Sequence, residues 1–260
     1  MRTLLICHEE EKLNSVVLPQ WLTSFSTLVG IVVLRETPQQ KKRRVKRELK
    51  RVGWLRFLDV LAFRFYYTLF LSKADRRWES DTINKLSRQY PALPDSTERL
   101  LSNSANSPQV REFIRSSKPD LVIARCKQLL KEEIFSIPRD GTFVMHPGIC
   151  PEYRNAHGCF WALANNDRER VGMTLLRIDR GVDTGPVLGH FYCKYDERSE
   201  SHIVIQHRTV FDNLDAVAKR LIEIHEGRAV TMETSGRNSA AWGQPWLTRY
   251  FHWKLEARTR

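Results

Sequence analysis

The sequence predicts an α/β fold: a Rossmann-like, mostly parallel sheet with helices on both faces. Short apolar runs typical of buried strands occur at 2–7, 30–34, 121–124 and 141–146. Between the first two runs lies a stretch, 12–28, whose apolar residues have helical spacing. A strand, a helix and a second strand at this length are typical of the right-handed crossover that joins parallel strands.

Further along the chain the same rhythm continues. Residues 110–116 predict a helix, and the stretches 171–178 and 187–195 predict two more strands. A helical period then runs from 201 to 227 and ends at Gly227, a residue suited to a helix C-terminus.

The length of 260 residues favours one α/β domain with an insertion or a tail. We expect the main, catalytic domain to span 1–230, with an insertion at about 36–108 that interrupts the α/β rhythm. The remaining residues, 231–260, form a short aromatic and basic tail with three tryptophans and few aliphatic residues. Such a tail cannot form a core alone, so we expect it to pack on the main domain or on a partner.

The insertion begins with a strongly basic run, 41–51, followed by an apolar and aromatic segment, 52–71, that contains three charged residues. One interpretation is a buried or homodimer-forming helix whose basic run is a solvated face. The other is an interfacial helix, 41–71, that makes peripheral contact with anionic lipid at the inner membrane surface. We favour the first, and the sequence leaves both open.

The formal net charge of +12 indicates anionic partners: nucleotides, nucleic acid or a membrane surface. No nucleic-acid-binding motif accompanies the charge, so no nucleic-acid partner is expected. Five scattered cysteines without a C-x-x-C pair predict neither a disulfide framework nor a zinc site, which fits a reducing, cytoplasmic location. The N-terminal apolar stretch is too short for a signal peptide, and no run is long enough to span a bilayer.

Unusual residues are densest between 144 and 158, where a predicted strand ends in His146 and leads into a loop with two prolines. Ligands of open α/β sheets bind at the carboxyl ends of strands. Asp183 follows in a loop with glycines on both sides, and an acid there could orient the imidazole. A histidine at a strand end is more often a hydrogen-bonded loop residue, and such an aspartate is more often a turn former. Composition alone therefore leaves the pairing open.

Two motifs change this balance. The run from Val144 to Asn155 resembles N-x-H-P-S-L-L-P-x-Y-R-G, and the run from Gly172 to Gly185 resembles G-x-T-x-x-x-[DE]-x-x-[VL]-D-x-G. Both motifs belong to the catalytic domain of the folate-dependent formyltransferases, which act on glycinamide ribonucleotide, methionyl-tRNA or amino sugars. Residues 107–227 resemble that domain in the order, the spacing and the strand context of these motifs.

This resemblance implies that His146 is the catalytic histidine and Asp183 the catalytic aspartate. It implies 10-formyltetrahydrofolate as the formyl donor, and no metal is expected. Two segments would cradle the pterin of the donor, partly through backbone groups: Gln128, Leu129 and Leu130, and the loop Ile178, Asp179, Arg180, Gly181 and Val182.

The sequence departs from the family motif at Val144, where the family has an asparagine. Valine cannot donate a hydrogen bond to an oxyanion, and loss of one such donor costs on the order of 10²–10³ in rate. Another donor could replace it, protonated His146 among them; alternatively the chain is a weakened or engineered variant, or its activity is lost. Asn155 stands where the family has a glycine, and compensation by its side chain cannot be assumed.

The expected substrate is a small primary amine. The loop after the first strand contains Glu9, Glu10 and Glu11, which would repel the phosphate of glycinamide ribonucleotide. A methionyl-tRNA enzyme would need an RNA-binding domain of about a hundred residues, and the tail is far shorter. By elimination an amino sugar is favoured, with nucleotide-linked forms included.

Three residues border the expected amine site and are candidate substrate contacts, although each is about as well explained as a surface loop residue: Arg154, Asn155 and His157. Two alternative functions stay open: hydrolysis of formyltetrahydrofolate, and non-catalytic binding of folate or a sugar nucleotide. The second is favoured by Val144.

Overall fold

The computed structural model describes all 260 residues and contains one seven-stranded sheet, in the order β3-β2-β1-β4-β5-β7-β8. Its strands are β1 (Arg2–His8), β2 (Thr27–Leu34), β3 (Arg99–Ser102), β4 (Leu121–Arg125), β5 (Gly141–His146), β7 (Met173–Arg177) and β8 (Val187–Phe191). The first five neighbours are parallel, and β7 runs antiparallel to both β5 and β8. A separate parallel pair joins β6 (Arg154–Asn155) to β9 (Ala241–Trp242). The predicted Rossmann-like, mostly parallel sheet is confirmed.

Nine helices surround the sheet: α1 (Leu18–Thr23), α2 (Pro38–Tyr66), α3 (Ser72–Gln89), α4 (Pro108–Ser117), α5 (Glu132–Phe135), α6 (Gly158–Ala164), α7 (His202–Phe211), α8 (Leu214–His225) and α9 (Leu247–Thr259). Single π-helical turns precede α1 and join α2 to α3. None of the helices is both long enough and apolar enough to cross a bilayer.

Both faces of the sheet are covered because side chains alternate along each strand. In β1, Leu5 packs into the larger apolar core together with Trp21 of α1 and Leu221 of α8. Its neighbour Leu4 faces the other side and packs with Ile114 of α4. All of these side chains are fully buried, so helices cover both faces as the sequence predicts.

The region expected to be an insertion, 36–108, contains one strand of the main sheet. β3 pairs in parallel with β2 at the sheet edge, with Leu100 opposite Val32. The strand is only four residues long and partly exposed, so it lacks the continuous apolar run by which buried strands are recognised. The inserted structure is therefore the helical segment α2–α3, and the sheet resumes at Arg99.

Two helix predictions need correction. The stretch 201–227 is two helices, because Asn213 ends α7 by donating its side-chain amide to the carbonyl oxygen of Thr209. The stretch 12–28 begins as a π-helical turn, and its helix ends at Thr23, before β2 starts at Thr27. In both cases the apolar period continues past the local break.

The C-terminal tail packs on the main domain, which was one of its two expected positions. Tyr250 and Trp253 of α9 are buried in an aromatic cluster with Phe160 of α6 and Phe63 of α2. The Trp161 indole donates to the carbonyl oxygen of Gly243, 2.9 Å away. The tail thereby joins the inserted helix to the sheet domain.

Three histidines lie around α6 and α7: His202 is buried, and His157 and His207 are partly buried. Burial lowers the pKa of His157 and of His207 to about 4, and it lowers the pKa of His202 well below its ordinary value. His207 lies between the rings of Trp78 and Phe211, each 6.1 Å away. The folded protein therefore holds these rings neutral at pH values where the unfolded chain protonates them.

We expect the free energy of unfolding to be at its full value above about pH 6.5 and to fall as the pH drops towards 4. The reason is that the unfolded chain binds protons in this window and the folded chain does not. Urea unfolding at pH 7.5 and pH 5.5 should show a loss on the order of 1 kcal/mol per buried histidine. His207→Phe should reduce the pH dependence, and an equal dependence in that variant would contradict the assignment.

Candidate active site

The candidate site lies at the carboxyl edge of the parallel strands. β5 ends there at His146, β4 ends at Arg125 and β1 ends at His8. Because these three strands are adjacent and parallel, their terminal side chains are placed along one edge.

His146 and Asp183 are brought together as the sequence predicts. His146 Nδ1 lies 3.4 Å from Asp183 Oδ2, and Nε2 lies 2.8 Å from the carbonyl oxygen of Tyr153. The imidazole is buried, with 5% of the residue exposed. Both ring nitrogens thus face acceptor oxygens, and a neutral imidazole can donate to only one of them.

The position of the Asp183 carboxylate is set by the left-handed backbone of that residue and by a hydrogen bond from the loop after β5. Its φ of 52° lies in the left-handed region, and its Oδ2 accepts a hydrogen bond of 2.8 Å from the backbone N–H of Asn155. Asn155 itself has a φ of 76°. Glycine adopts such angles freely and asparagine is among the few other residues that tolerate them, which explains how Asn155 can replace the glycine of the formyltransferase motif.

The loop between β5 and α6 is closely packed on the imidazole. A methyl group on Gly148 would lie 2.5 Å from the carbonyl oxygen of Tyr153 and 2.8 Å from His146 Nε2. One on Gly158 would lie 2.6 Å from the Cα of Gly148. The Thr174 hydroxyl donates to the carbonyl oxygen of Gly148 and accepts from the backbone N–H of Cys150. These contacts fix the distance between the loop and the histidine.

Val144 is part of an apolar contact and not an open polar position. It lies on the same face of β5 as His146 and packs against Cys150, Leu176 and Val187, all three of them buried. The site therefore has no hydrogen-bond donor from this side chain.

A polar and charged group lies beside the site, and of its members the sequence alone singles out only Glu11. The Arg125 guanidinium donates through Nη1 to the carbonyl oxygen of Met145, next to His146, and through Nε to the Asn14 side chain at 3.3 Å. Asn14 donates in turn to Glu11 at 2.5 Å, and Lys127 pairs with Glu11 at 2.9 Å. The one available signal was the position of Arg125, directly after a predicted strand at the sheet edge.

Burial and ion pairing shift the pKa values of this group in opposite directions. Desolvation lowers the pKa of Arg125, and the carboxylates of Glu11 and Asp183 oppose that shift. Desolvation alone would raise the pKa of Glu11, but the positive charges of Lys127 and Arg125 outweigh it and the pKa is lowered. The group therefore holds positive and negative charges side by side at the carboxyl edge of the sheet.

The two segments predicted to bind the pterin lie side by side. Leu130 and Ile178 pack in the same apolar cluster, and Arg180 forms an ion pair of 2.6 Å with Glu132, which follows the first segment. Leu129 and Val182 are 56% and 41% exposed, so both are available for apolar contacts.

The polar residues of these segments are already engaged. The Gln128 side chain is used by the loop after β3, because its oxygen accepts from Ala105 N–H and its amide donates to the carbonyl oxygen of Asn103. Asp179 accepts from Gly181 N–H and from the Thr184 hydroxyl. Recognition of a ligand here would rest on backbone groups and apolar side chains.

The predicted substrate contacts divide into two groups. Arg154 donates to the carbonyl oxygen of Val182, and the backbone N–H of Asn155 donates to Asp183, so both lie beside the pair of His146 and Asp183. His157 lies instead among aromatic rings, 5.6 Å from the His202 ring, and its buried Nδ1 has no hydrogen-bond partner. The structure does not bring His157 to His146, because its left-handed backbone at the start of α6 turns it into the core.

One group of metal-binding residue types lies far from this edge. Asp120, Asp140 and His225 come together at the amino ends of β4 and β5. Arg139 pairs with both acids, at 3.2 and 3.0 Å, and His225 lies 2.6 Å from Asp140. The guanidinium thus already supplies the positive charge that a cation would bring.

Two surface clefts lie apart from the candidate site. One, of about 420 Å³, is lined by residues of the segment 195–198 and of α9, and the other, of about 450 Å³, lies between β8 and α8. Neither includes His146 or Asp183. Both are shallow and polar or mixed in character, so the arrangement of functional groups, and not cleft size, indicates where chemistry would occur.

Comparison with known proteins agrees with the geometry of the sheet edge. The model of the family described as Formyl transferase matches residues 76–221, more than half of the chain. The chain belongs to the formyl transferase family. The match covers both motifs and both predicted pterin segments, and it begins earlier than the residues 107–227 that resemble the family by motif.

Relatives in the formyl transferase family include methionyl-tRNA formyltransferases. That of Thermotoga maritima is 32% identical over 122 residues, which are 46% of this chain and 34% of the relative. That of Geobacter metallireducens is 36% identical over 90 residues, which are 34% of this chain and 29% of the relative. The matches thus span about a third of the length of these relatives.

Solved structures show the same fold over nearly the whole chain. A sugar N-formyltransferase from a Shewanella species matches with a TM-score of 0.56 and 13% identity, covering 99% of this chain and 87% of the other. A glycinamide ribonucleotide transformylase from Symbiobacterium toebii matches with a TM-score of 0.54 and 13% identity, covering 91% and 92%. At this identity the similarity concerns the fold alone.

The contact between Gly148 and the imidazole gives a testable consequence. Gly148→Ala should destabilise the protein by about 1–3 kcal/mol or displace His146, because the added carbon meets a backbone oxygen that cannot move freely. Gly236→Ala is the control: its φ of 77° adds backbone strain, but open space surrounds the added carbon. Urea unfolding of both variants measures the difference, and a smaller loss at Gly148 than at Gly236 would show that the loop is not closely packed.

Proposed function

We propose that the protein transfers a formyl group from 10-formyltetrahydrofolate to the primary amine of a small substrate, with an amino sugar, free or nucleotide-linked, as the favoured class. The observation that carries this proposal is the contact of His146 with Asp183 at the carboxyl edge of the sheet, inside the family match. The catalytic unit is residues 1–230, braced by the tail, and the reaction takes place in the cytoplasm.

In this reaction the amine nitrogen attacks the formyl carbon, the bond from that carbon to N10 of the folate breaks, and one proton moves from the amine to N10. His146 is placed to carry the proton and Asp183 to orient the ring. Because both ring nitrogens face protein oxygens, His146 reaches the substrate only when one contact is exchanged. Exchange of the Nε2 contact with the carbonyl oxygen of Tyr153 would leave Asp183 at Nδ1 to orient the ring.

We infer that Arg125 supplies the positive hydrogen-bond donor that Val144 cannot. Its guanidinium lies against the backbone of Met145 beside the histidine and is close enough to Asp183 for the two charges to interact. A cation fixed before the reaction can stabilise the oxyanion of the tetrahedral intermediate without reorganisation. Glu11 and Asn14 would act as positioning residues for it.

The substrate class rests on the polarity of the loop after β1. Glu9 and Glu10 pair with Arg35 and Lys41 outside the site, whereas Glu11 turns inward towards Asn14 and Lys127. A carboxylate in this position favours amines and hydroxyl groups over phosphate. Methionyl-tRNA is the second candidate amine, because the curated relatives at 30–40% identity carry that activity in their names.

The first test follows tetrahydrofolate release from 10-formyltetrahydrofolate, with a panel of amino sugars, nucleotide-linked amino sugars and methionyl-tRNA. We expect amine-dependent release, with kcat lowered at least ~100-fold by His146→Ala and by Asp183→Asn. His252→Ala, at an exposed position on α9, should leave kcat unchanged.

Other outcomes of this assay point to the alternatives. Release without amine, abolished by the same variants, would indicate formyltetrahydrofolate hydrolysis. Donor binding without turnover, unaffected by His146→Ala, would indicate a non-catalytic folate-binding protein and contradict the proposal.

A second test concerns the oxyanion donor. Arg125→Met should lower kcat by on the order of 10²-fold with the KM for the donor little changed, and Arg125→Lys should lower it less. Adding Val144→Asn to Arg125→Met should restore part of the rate, because the amide supplies a new donor.

Lys127→Met is the matched control, since Lys127 also pairs with Glu11 but does not contact the backbone beside His146. Circular dichroism and donor binding show whether each variant is folded. Folded Arg125→Met with unchanged kcat would rule out this role for Arg125.

A further inference from the structure

The helix α2 exposes a row of large apolar side chains to solvent. Seven of them lie on the second half of α2 and on the turn that follows it, and each is from 42% to 68% exposed. They are Trp54, Leu55, Leu58, Leu61, Phe65, Leu69 and Phe70. We call these residues the outer face of α2.

The outer face follows helical geometry and is not needed for the core. Positions 54, 58, 61, 65 and 69 are three or four residues apart, so they form one stripe along the helix. The opposite side of the same helix carries Val60 and Phe63, which are buried. The helix is therefore apolar on two sides, and only one side packs against the protein.

The outer face is large for a surface patch. With a fully exposed leucine taken as about 200 Å² and an aromatic side chain as somewhat more, the seven residues expose on the order of 900 Å². The largest apolar patch on a typical monomer is roughly 300–600 Å², and it is often a binding site. The Phe251 ring of α9, in a residue 41% exposed, lies 5.1 Å from that of Tyr66 at the end of α2.

Unpaired positive charge lies directly beside this apolar surface. In the first half of α2, Lys41, Arg44 and Arg51 form ion pairs. Five other exposed basic residues of this half have no acidic partner: Lys42, Arg43, Lys46, Arg47 and Lys50. Arg56 and Arg64 add exposed positive charge within the apolar half.

We propose that α2 lies on the surface of an anionic lipid bilayer, with the outer face in the interface and the basic half against lipid phosphates. Amphipathic helices that bind membranes in this way combine an apolar aromatic face with lysine and arginine at its border. A second copy of this chain in a parallel twofold contact through the same helices fits less well, because it would bring two unpaired basic runs together.

The break at Gly53 supports a two-part surface. Gly53 has φ 76° and ψ 166°, outside the helical region, so the basic and the apolar halves of α2 are separate helical segments that meet at an angle. The basic half starts at the carboxyl edge of the sheet, where Lys41 pairs with Glu10 at 3.0 Å and Gln40 donates to the carbonyl oxygen of Asn103. A membrane bound along α2 would therefore lie close to the edge that carries the candidate site.

The test is flotation of the full chain with vesicles of phosphatidylcholine alone and with 30% phosphatidylglycerol. We expect binding to the anionic vesicles, weakened at high salt, and little binding to the neutral ones. Phe65→Glu should lower the partition coefficient at least ~10-fold, and a triple Lys42/Lys46/Lys50→Glu variant by at least as much. Val230→Glu, at a residue 75% exposed directly before the tail, is the control and should leave binding unchanged.

Three results would overturn the proposal. The first is no binding to anionic vesicles. The second is binding that Phe65→Glu leaves intact, which would mean that charge alone attracts the protein. The third is a dimer in sedimentation equilibrium that Phe65→Glu dissociates while vesicles bind neither form, which would assign the outer face to a second copy. Formyl transfer is not measured in any of these experiments, so their outcome is independent of the proposed function.

Discussion

The close approach of two glycines, Gly148 and Gly158, is the constraint on which the candidate site depends. Any side chain on either residue would push the loop after β5 away from the strand. With the loop in contact, the carbonyl oxygen of Tyr153 reaches His146, and the N–H of Asn155 reaches Asp183. The imidazole and the carboxylate are thus positioned by backbone groups, which cannot change rotamer. The left-handed angles at Asn155 and Asp183 are the conformational cost of this arrangement.

Two residues beside His146, Val144 and Arg125, set which hydrogen-bond donors the site offers. Val144 removes a neutral donor from one side of His146 and completes an apolar cluster in its place. Arg125 adds a charged donor beside the same histidine, held by Asn14 and by the backbone of Met145. In a partly buried position a cation interacts more strongly with a developing negative charge than an amide does. Arg125 is therefore the residue that we propose as the replacement for the donor that Val144 lacks.

The sequence predicts the parts of the molecule that depend on local pattern. Apolar runs predict the central strands, and motif spacing predicts that His146 and Asp183 lie together. It does not predict β3, because an edge strand of four half-exposed residues has no apolar signature. It does not predict where His157 points, since the left-handed backbone of that one residue sets the direction of the side chain. Arg125 escapes notice because its place in the site depends on contacts that local sequence does not show. Its partner Asn14, for example, is more than a hundred positions away in the chain.

The pairing of β6 with β9 means that the tail is part of the site's construction. Backbone N–H groups of the site loop donate to the carbonyl oxygens of Ala240 and Trp242, and the Asn155 side chain also donates to the latter. A chain shortened before Ala240 would leave those loop groups to water and free the loop to move. Residues 240–260 and the loop at 154–156 are thus expected to change together during divergence, and exchanging either one alone between relatives would produce a mismatched hybrid.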